Sequence, residues 1–440
     1  MPWSNPRRSL LLCAGLDLAG LLAWLALISV FRPMPPVPQW GWVLFMAVTY
    51  LALGWLFGSY TLLRWPRLPL LVVLRRVLLS GVFTLALVAL ARWLINPPLS
   101  LWLVHRSTQL LLLLPLMAWS LLVRGLLRRG VWMPSQPQWL LAGPAAEADA
   151  VLEAWRGTPM PVRQSLRWVT LAAVIEQPSV LLAVTPALQN DPEQRRLLQT
   201  LEQRDPREFS LIPALSLIEQ QLERLPPALL PEPWMSYSDL PSNRLFSLER
   251  QLKRAADLLL SAVLLVLSAP LLLLATLLIW LEDRGPVFYQ QRRSGWLGQP
   301  FAVWKLRTMQ VAAADADPSW TALGDQRITR VGCWLRRLRI DELPQLLQVL
   351  TGEMSLIGPR PERPELEQQL EERIPHYRKR HWMRPGLSGW AQVCAPYAAS
   401  VEDSELKLSY DLYYLKHFST WLDLLILLRT IKTVLKAAGR

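Results

Sequence analysis

Four apolar stretches precede residue 130, and this feature constrains the fold more than any other in the sequence. Each approaches the roughly 20 residues that an α-helix needs to cross the hydrocarbon core of a bilayer. The first is too long for a cleaved signal peptide and lacks a small-residue cleavage site. The sequence therefore predicts a four-helix transmembrane anchor over residues 1–130. Its helices are expected at Leu10–Phe31, Trp40–Tyr60, Val77–Ile95 and Val104–Leu127.

The composition agrees with a membrane protein that handles anions. The chain of 440 residues is 52 % hydrophobic and 18 % charged, with 22 Trp and a net charge of +13. A basic balance suits nucleic acid, anionic lipid or a phosphorylated substrate, and the long Leu runs favour lipid and phosphate. The three cysteines are scattered without metal-like spacing, which argues against a disulfide framework or a zinc site.

Arginine placement orients the predicted anchor. Cytoplasmic loops carry an excess of Lys and Arg, and the two sides of the four segments differ strongly. One side holds Arg7, Arg8, Arg64, Arg67, Arg75, Arg76, Arg124, Arg128 and Arg129, and the other holds Arg32, Arg92 and Arg106. Both ends of the anchor are therefore expected in the cytoplasm. Arg106 and Arg124 lie near the ends of the fourth segment, where they are expected to snorkel.

Residues 131–225 change to short apolar runs between polar helical stretches, which predicts a small α/β, Rossmann-like domain. The first turn after a strand lacks the glycines of a dinucleotide site, so a regulatory or packing role is the better interpretation. Residues 226–248, rich in Pro and Ser, are predicted to be a linker. Strands are expected at Gln138–Ala142, Trp168–Val174, Val180–Thr185 and Phe209–Pro213, with helices at Ala145–Trp155 and Glu193–Glu202.

The remainder, 249–440, opens with an apolar run at 258–281 that Ser268 and Pro270 interrupt. Proline removes a helix hydrogen bond and clashes with the preceding turn, so a kink is expected there. Both flanks of the run are basic, which conflicts with a simple crossing. A re-entrant hairpin that enters and leaves on the cytoplasmic face removes the conflict; an ordinary fifth span with a proline kink is the alternative.

The residues that follow concentrate cations and carboxylates. Lys305 and Arg307 lie in an extended segment whose cations suit phosphate oxygens. Further on, Pro344 fits only the first turn of a helix, so Asp341 and Glu342 stand at a helix N-terminus. Such acids can merely complement the helix dipole. A carboxylate held beside arginines at this position is also a plausible nucleophile toward phosphorus, and its neighbour can hold Mg²⁺.

A rigid turn, Gly358-Pro359-Arg360-Pro361, projects Arg360. Together and in this order, the segments from about Lys253 to Leu435 resemble the bacterial sugar transferases, the monotopic polyprenyl-phosphate phosphoglycosyl transferases. The anchor and middle domain resemble the large membrane-anchored branch. Two departures are a helix break with Ala269 between its Ser and Pro, and Leu306 where relatives carry an aromatic residue.

The resemblance implies a phosphotransferase for substituted phosphate groups. It implies that Asp341 attacks the β-phosphorus of a UDP-sugar and releases UMP, with Mg²⁺ on Glu342. A polyprenyl (undecaprenyl) phosphate would then take the sugar-1-phosphate from the enzyme, the first step of exopolysaccharide, capsule or O-antigen assembly. Phosphate-binding roles are expected for Lys305, Arg307, Arg339 and Arg360.

The expected fold is thus a helical membrane anchor, a small α/β domain and an α-rich transferase domain with a re-entrant membrane helix. We expect a multi-pass protein of the bacterial inner membrane, with its catalytic domain on the cytoplasmic face. A homo-oligomer is compatible with the sequence. An inactive scaffold would need a broken Asp-Glu pair or phosphate turn, and neither is broken. A nucleic-acid binder is disfavoured because no reader motif accompanies the charge.

Overall fold

The computed structural model describes residues 5–31, 37–60, 70–95, 105–128, 138–157, 165–175, 180–203, 209–241, 248–310, 327–395 and 400–435. Its contacts divide the chain into two compact units, and the second begins at Trp139. The first unit contains helices α1 (Asn5–Phe31), α2 (Val37–Phe57), α3 (Leu70–Ile95) and α4 (Arg106–Arg128). All four are long and apolar enough to cross a membrane. The prediction of four apolar N-terminal helices is confirmed.

Helix α3 begins at Leu70 rather than at the predicted Val77. The earlier start places Arg75 and Arg76 inside the helix. Arg76 donates a 3.0 Å hydrogen bond to the carbonyl oxygen of Gly58, beyond the end of α2. The hydropathy pattern excluded Arg76 from the helix. In the structure, the hydrogen bond to Gly58 offsets the cost of its charge there.

A buried ion pair joins α1 to α4. The Nη2 atom of Arg124 lies 2.8 Å from Oδ2 of Asp17, and both residues are only 1 % exposed. Tyr60 and Ser120 donate hydroxyl hydrogen bonds of 2.9 and 2.8 Å to the same carboxylate. The prediction that Arg124 snorkels is therefore wrong, because Asp17 neutralises its charge inside the unit. The side chain of Arg106 lies outside the described residues.

The second unit starts with a parallel four-stranded sheet in the order β2-β1-β3-β4. Its strands are β1 (Trp139–Ala142), β2 (Leu166–Trp168), β3 (Val180–Val184) and β4 (Phe209–Pro213). The helices around it are α5 (Ala145–Arg156), α6 (Leu171–Ile175), α7 (Pro186–Asn190), α8 (Pro192–Glu202) and α9 (Ala214–Leu222). The small parallel α/β sheet that the sequence predicted is confirmed.

One predicted strand of this sheet is wrong in part. The run Trp168–Val174 was expected to be extended, whereas β2 ends at Trp168 and α6 follows. Leu171 and Val174 are both buried against the sheet. Their spacing of three residues places them on one face of a helix, so the apolar run reflects helical rather than strand periodicity.

A long helix, α10 (Leu248–Asp283), leads into the C-terminal region. The strands that follow are β5 (Phe288–Ser294), β6 (Pro300–Leu306), β7 (Ser355–Ile357) and β8 (Gly386–Ser388). The helices are α11 (Arg330–Leu338), α12 (Leu346–Thr351), α13 (Pro364–Glu371), α14 (Trp390–Cys394), α15 (Val401–Lys416) and α16 (Thr420–Leu435). β5 and β6 form an antiparallel hairpin, and β7 pairs in parallel with β8.

The main core of this region is built from α12, α14, α15 and the first turns of α16, with Trp390, Tyr410 and Tyr414 as its largest buried side chains. The predicted linker 226–248 contributes Leu230 and Leu240 to the same core. Its described part therefore packs on the C-terminal region.

Both ends of α10 contact this region. Near its start, Lys253 donates to the carbonyl oxygen of Ile357 and Arg254 to that of Val349. Near its end, Ala275 and Ile279 pack against Leu335 and Ile340. Between them lie Pro270 and Ser268, whose hydroxyl bonds the Leu265 carbonyl oxygen at 3.3 Å. The intervening face is largely exposed and apolar.

Candidate active site

Asp341 and Glu342 lie on a single 3₁₀ turn, Ile340–Gln345, that runs directly into α12. Arg339 precedes the turn in a left-handed conformation with φ 56°, which ends α11 and redirects the chain. Pro344 is the fifth of the six residues of this turn, and α12 begins two residues later at Leu346. The two carboxylates do lie in the first turn of the 3₁₀ segment, as the sequence predicted, but Pro344 lies beyond that first turn, where the sequence argument had not placed it.

Three cations surround Glu342. Its Oε1 atom lies 2.7 Å from Arg360 and 3.4 Å from Lys305, and its Oε2 atom lies 3.5 Å from Arg339. Burial acts to raise the pKa of Glu342, but Arg360, Lys305 and Arg339 hold that pKa well below its usual range. Glu342 is therefore ionised at neutral pH and fixes the positions of the three cations.

Asp341 differs sharply from its neighbour. It is equally buried, yet no described residue lies within hydrogen-bonding distance of its carboxylate. Burial, and then the charge of Glu342, raise the pKa of Asp341 to about 6, although Lys305, Arg336 and Arg360 oppose the shift. A carboxylate without a protein partner, mostly ionised at pH 7, is chemically the more reactive member of the pair.

The β5–β6 hairpin and the Gly-Pro-Arg-Pro turn supply two of the three cations at Glu342. Lys305 lies on β6, and burial lowers the pKa of its ammonium group. Arg293, on β5, lies 3.5 Å from Glu362 just beyond the turn. Arg307 lies elsewhere, because it forms an ion pair with Asp283 at the end of α10. The structure thus brings Lys305, Arg339 and Arg360 to the carboxylate pair and places Arg307 against the membrane helix.

Backbone contacts between glycines hold the turn that carries Arg360. The N–H of Gly358 donates to the Ser388 carbonyl oxygen, and the N–H of Gly386 donates to the Pro359 carbonyl oxygen, both at 2.8 Å. A Cβ atom at Gly386 would lie 2.1 Å from the Gly358 nitrogen. Only glycine permits this approach, so the Gly386–Ser388 strand sets the position of the Gly-Pro-Arg-Pro turn.

A second buried ion pair supports the same turn, and the sequence analysis missed it. Arg380 donates to Asp411 at 3.0 Å and to the carbonyl oxygen of Arg360 at 2.9 Å. Tyr377 accepts a further bond from Arg380. In sequence, Arg380 stands in the charged run Arg378-Lys379-Arg380, and the available signal was Asp411, a lone acid in the apolar stretch 408–415 of α15.

A metal ion at this site would take some of its ligands from the protein and the others from the substrate. Among the described residues, no three His, Cys, Asp or Glu side chains form a metal-binding group. Both oxygens of Glu342 already face protein cations. Asp341 is the carboxylate with oxygen atoms to offer, and Mg²⁺ typically combines one or two carboxylates with substrate phosphates.

The fold and the site define a membrane protein with a carboxylate pair set among cations of the kind that suit phosphate oxygens. The model of the bacterial sugar transferase family matches residues 248–437. A UDP-glucose:undecaprenyl-phosphate glucose-1-phosphate transferase of Caulobacter vibrioides is 45 % identical over 185 residues, which are 42 % of this chain and 69 % of the relative. The chain belongs to the bacterial sugar transferase family.

Two further relatives are matched over a smaller share of their own length. A UDP-N-acetylgalactosamine-undecaprenyl-phosphate N-acetylgalactosaminephosphotransferase of Aeromonas hydrophila is 46 % identical over 43 % of this chain and 44 % of its own. The UDP-glucose:undecaprenyl-phosphate glucose-1-phosphate transferase of Escherichia coli is 39 % identical over 42 % of this chain and 41 % of its own. The chain thus matches less than half the length of these two proteins.

Proposed function

We propose that this protein transfers a sugar-1-phosphate from a UDP-sugar to undecaprenyl phosphate. The observation that carries the proposal is the contrast between Asp341, which has no donor among the described residues, and Glu342, which three cations neutralise. One carboxylate is free to react while the other holds the phosphate-binding groups in position. The reactions named for the three relatives above support the same chemistry.

In the first half-reaction, an Oδ atom of Asp341 attacks the β-phosphorus of the UDP-sugar. The bond from that phosphorus to the bridging oxygen breaks, and UMP leaves with the electron pair. Arg360 and Lys305, next to Glu342, stabilise the negative charge that grows on the transferring group and on UMP. The product of this step is an aspartyl-phosphosugar enzyme.

In the second half-reaction, a phosphate oxygen of undecaprenyl phosphate attacks the same phosphorus. The bond to Asp341 breaks and the carboxylate is regenerated, so atoms and charges balance over the cycle. The lipid chain of the acceptor would lie along the apolar face of α10, whose two ends contact one folded region. That arrangement supports a re-entrant hairpin with Ser268 and Pro270 at its bend, and a catalytic region on the cytoplasmic face.

Mg²⁺ stays a proposal, and the donor set fits it. When bound, the ion would neutralise diphosphate charge and polarise the phosphorus being attacked. Asp341 has oxygen atoms available, whereas Glu342, the ligand expected from the sequence, would first have to exchange its contacts with Lys305 and Arg360. The lipid-linked sugar would begin an exopolysaccharide, capsule or O-antigen unit in the bacterial inner membrane.

The test is UMP release by the purified full chain in nanodiscs, with Mg²⁺, undecaprenyl phosphate and a panel of UDP-sugars. We expect release with one donor and loss of release in Asp341→Asn. Incubation with a radiolabelled donor in the absence of acceptor should leave label on the protein, and Asp341→Asn should remove it. Full turnover by Asp341→Asn would overturn the covalent scheme, and no release with any donor from folded protein would overturn the reaction class.

A further inference from the structure

A group of arginines outside the active site lies where α10 starts. Arg254 sits one helical turn before the apolar run that begins at Leu258, and it donates to the carbonyl oxygens of Val349 and Leu350 at the end of α12. Arg384 approaches it from the segment before β8. Both guanidinium groups flank Gly352, where an added Cβ atom would lie 3.4 Å from Arg254 and 3.9 Å from Arg384.

Arg384 and Arg254 have no carboxylate among their contacts in the described residues. Among the described residues, Arg384 has no acceptor in hydrogen-bonding distance, and its one close partner is the Trp296 ring, 5.6 Å below its Cζ atom. Arg250, one turn before Arg254, is exposed and adds a third positive charge. Asp257 is the acid whose charge acts on Arg384, and its carboxylate already accepts from the Leu356 N–H. The surface is therefore cationic and suited to an anion.

The surroundings indicate which anion. Leu248 and Leu252 are 67 % and 47 % exposed in the first turns of α10, and Leu297, beside Trp296, is 51 % exposed. A tryptophan, exposed leucines and arginines next to an apolar helix are typical of a protein surface at lipid headgroup depth. An anionic phospholipid matches both the charge and the apolar surroundings, whereas a soluble phosphate matches only the charge.

The cluster is separate from the carboxylate pair. Arg254 and Arg384 meet the end of α12, whereas Asp341 precedes its start. Gly352 follows Asp341 by eleven positions, through the rest of the 3₁₀ turn and all of α12, which is a rise of at least about 16 Å at about 1.5–2 Å per residue. A phosphate held by these arginines is thus too far from Asp341 to be the group that reacts.

We propose that Arg250, Arg254 and Arg384, with Trp296, form a binding site for the headgroup of an anionic phospholipid. The bound lipid would hold the start of α10 and the tip of the β5–β6 hairpin at the membrane surface. Arg384 bonds the phosphate, and Trp296 with Leu297 lies among the upper acyl carbons. The site depends on membrane association of α10 and not on the transfer reaction.

The test is a lipid titration of the detergent-purified full chain, followed by native mass spectrometry, with phosphatidylglycerol and phosphatidylcholine as probes. We expect preferential binding of one phosphatidylglycerol. Arg384→Gln should weaken it roughly fivefold, the effect of one arginine at a membrane surface, and Arg384→Lys should weaken it less. Arg196→Gln, an equal charge loss on the exposed face of α8, is the matched control and should bind as the parent protein does.

Three outcomes would overturn the proposal. They are equal binding of the two lipids, equal weakening by Arg384→Gln and Arg196→Gln, and one-for-one displacement of phosphatidylglycerol by undecaprenyl phosphate. The last result would make the cluster the acceptor site. Circular dichroism of both Arg384 variants separates loss of binding from loss of fold. UMP release measured in parallel distinguishes failure of this site from failure of the transfer reaction.

Discussion

Arg380 and Asp411 form a buried ion pair at 3.0 Å, and the same guanidinium group bonds the backbone of Arg360 at 2.9 Å. Arg360 in turn reaches Glu342 at 2.7 Å. A continuous set of contacts therefore connects α15 to the carboxylate pair. Burial raises the pKa of Asp411 to about 6 against the opposing charges of Arg380 and Lys407. We therefore expect Asp411 and Arg380 to act as positioning residues through Arg360.

Replacement of Asp411 by Asn tests this arrangement. The change leaves Arg380 buried without a countercharge, so we expect a loss of about 3–5 kcal/mol in the free energy of unfolding. Because the proposed mechanism has Arg360 contact the transferring phosphate, kcat should fall more than KM rises. Glu371→Gln breaks an exposed ion pair with Arg378 and serves as control. A variant that loses stability but keeps the parent kcat would show that the pair has no positioning role.

The pKa of Asp341 predicts how activity depends on pH. In the proposed mechanism the attacking form is the carboxylate, and the pKa of Asp341 is raised to about 6. Activity should therefore be nearly full above pH 7 and fall about tenfold per unit well below pH 6. The check is kcat/KM for UMP release between pH 5 and 8. A flat profile over this range would mean that another group limits the reaction.

Arg336 offers a variant for the same measurement. Its charge lowers the pKa of Asp341, so Arg336→Gln should move the acid limb to higher pH. We expect a roughly twofold to threefold loss at pH 6 and little change at pH 8. Arg337→Gln removes the neighbouring exposed arginine, which lies over the Trp334 ring, and should leave the profile in place. An acid limb that moves equally in both variants would exclude a specific effect of Arg336.

Glu342→Gln should shift the profile in the opposite direction. Loss of the negative neighbour lowers the pKa of Asp341, so the acid limb moves to lower pH. At the same time Lys305, Arg339 and Arg360 lose the carboxylate that positions them, and kcat should fall roughly a hundredfold. Glu365→Gln, an exposed change at the start of α13, is the control. An unchanged kcat in Glu342→Gln would contradict the positioning role.

The local chemistry of the site was predictable from sequence, and the long-range contacts were not. Asp341 and Glu342 were expected at a helix start and do lie in the first turn of the 3₁₀ segment, although Pro344 lies later in that segment than the argument from its ring required. Four apolar stretches gave the anchor helices because lipid demands length and apolarity. These signals act over a few neighbouring residues, so one sequence suffices to read them.

Contacts between residues that are far apart in the sequence leave no comparable pattern in it. Arg380 meets Asp411 across 31 residues, and Arg124 meets Asp17 across 107. Their neighbours in the sequence suggest something else, because Arg380 stands in a charged run and Arg124 stands near the end of an apolar segment, where it was expected to snorkel. Arg307 was grouped with Lys305 for the same reason, although it pairs with Asp283. A buried arginine lies beside the carboxylate that neutralises its charge, and one sequence does not indicate which carboxylate that is.

The close approach of Gly386 to Gly358, in the turn that carries Arg360, gives a steric prediction. A Cβ atom at Gly386 would lie 2.1 Å from a backbone nitrogen and 2.5 Å from the Ser388 carbonyl oxygen, and neither atom can rotate away. We expect Gly386→Ala to cost about 1–3 kcal/mol and to reduce UMP release by displacing Arg360. Gly125→Ala, in α4, meets nothing within 4 Å and is the control. Equal unfolding midpoints for the two variants would refute the steric argument.

The Asp17–Arg124 pair should make the stability of the anchor sensitive to replacement of either residue alone, but much less sensitive to replacement of both together. Asp17→Asn leaves Arg124 as an uncompensated buried charge, so we expect the anchor to lose about 3–5 kcal/mol of stability. Replacing both residues by leucine removes both charges together and should recover most of that loss. The measurement is thermal unfolding of the full chain in detergent, with UMP release as a check of the C-terminal region. If the double variant were less stable than Asp17→Asn, hydrogen bonds from Tyr60 and Ser120 would hold the helices together more than charge neutralisation does.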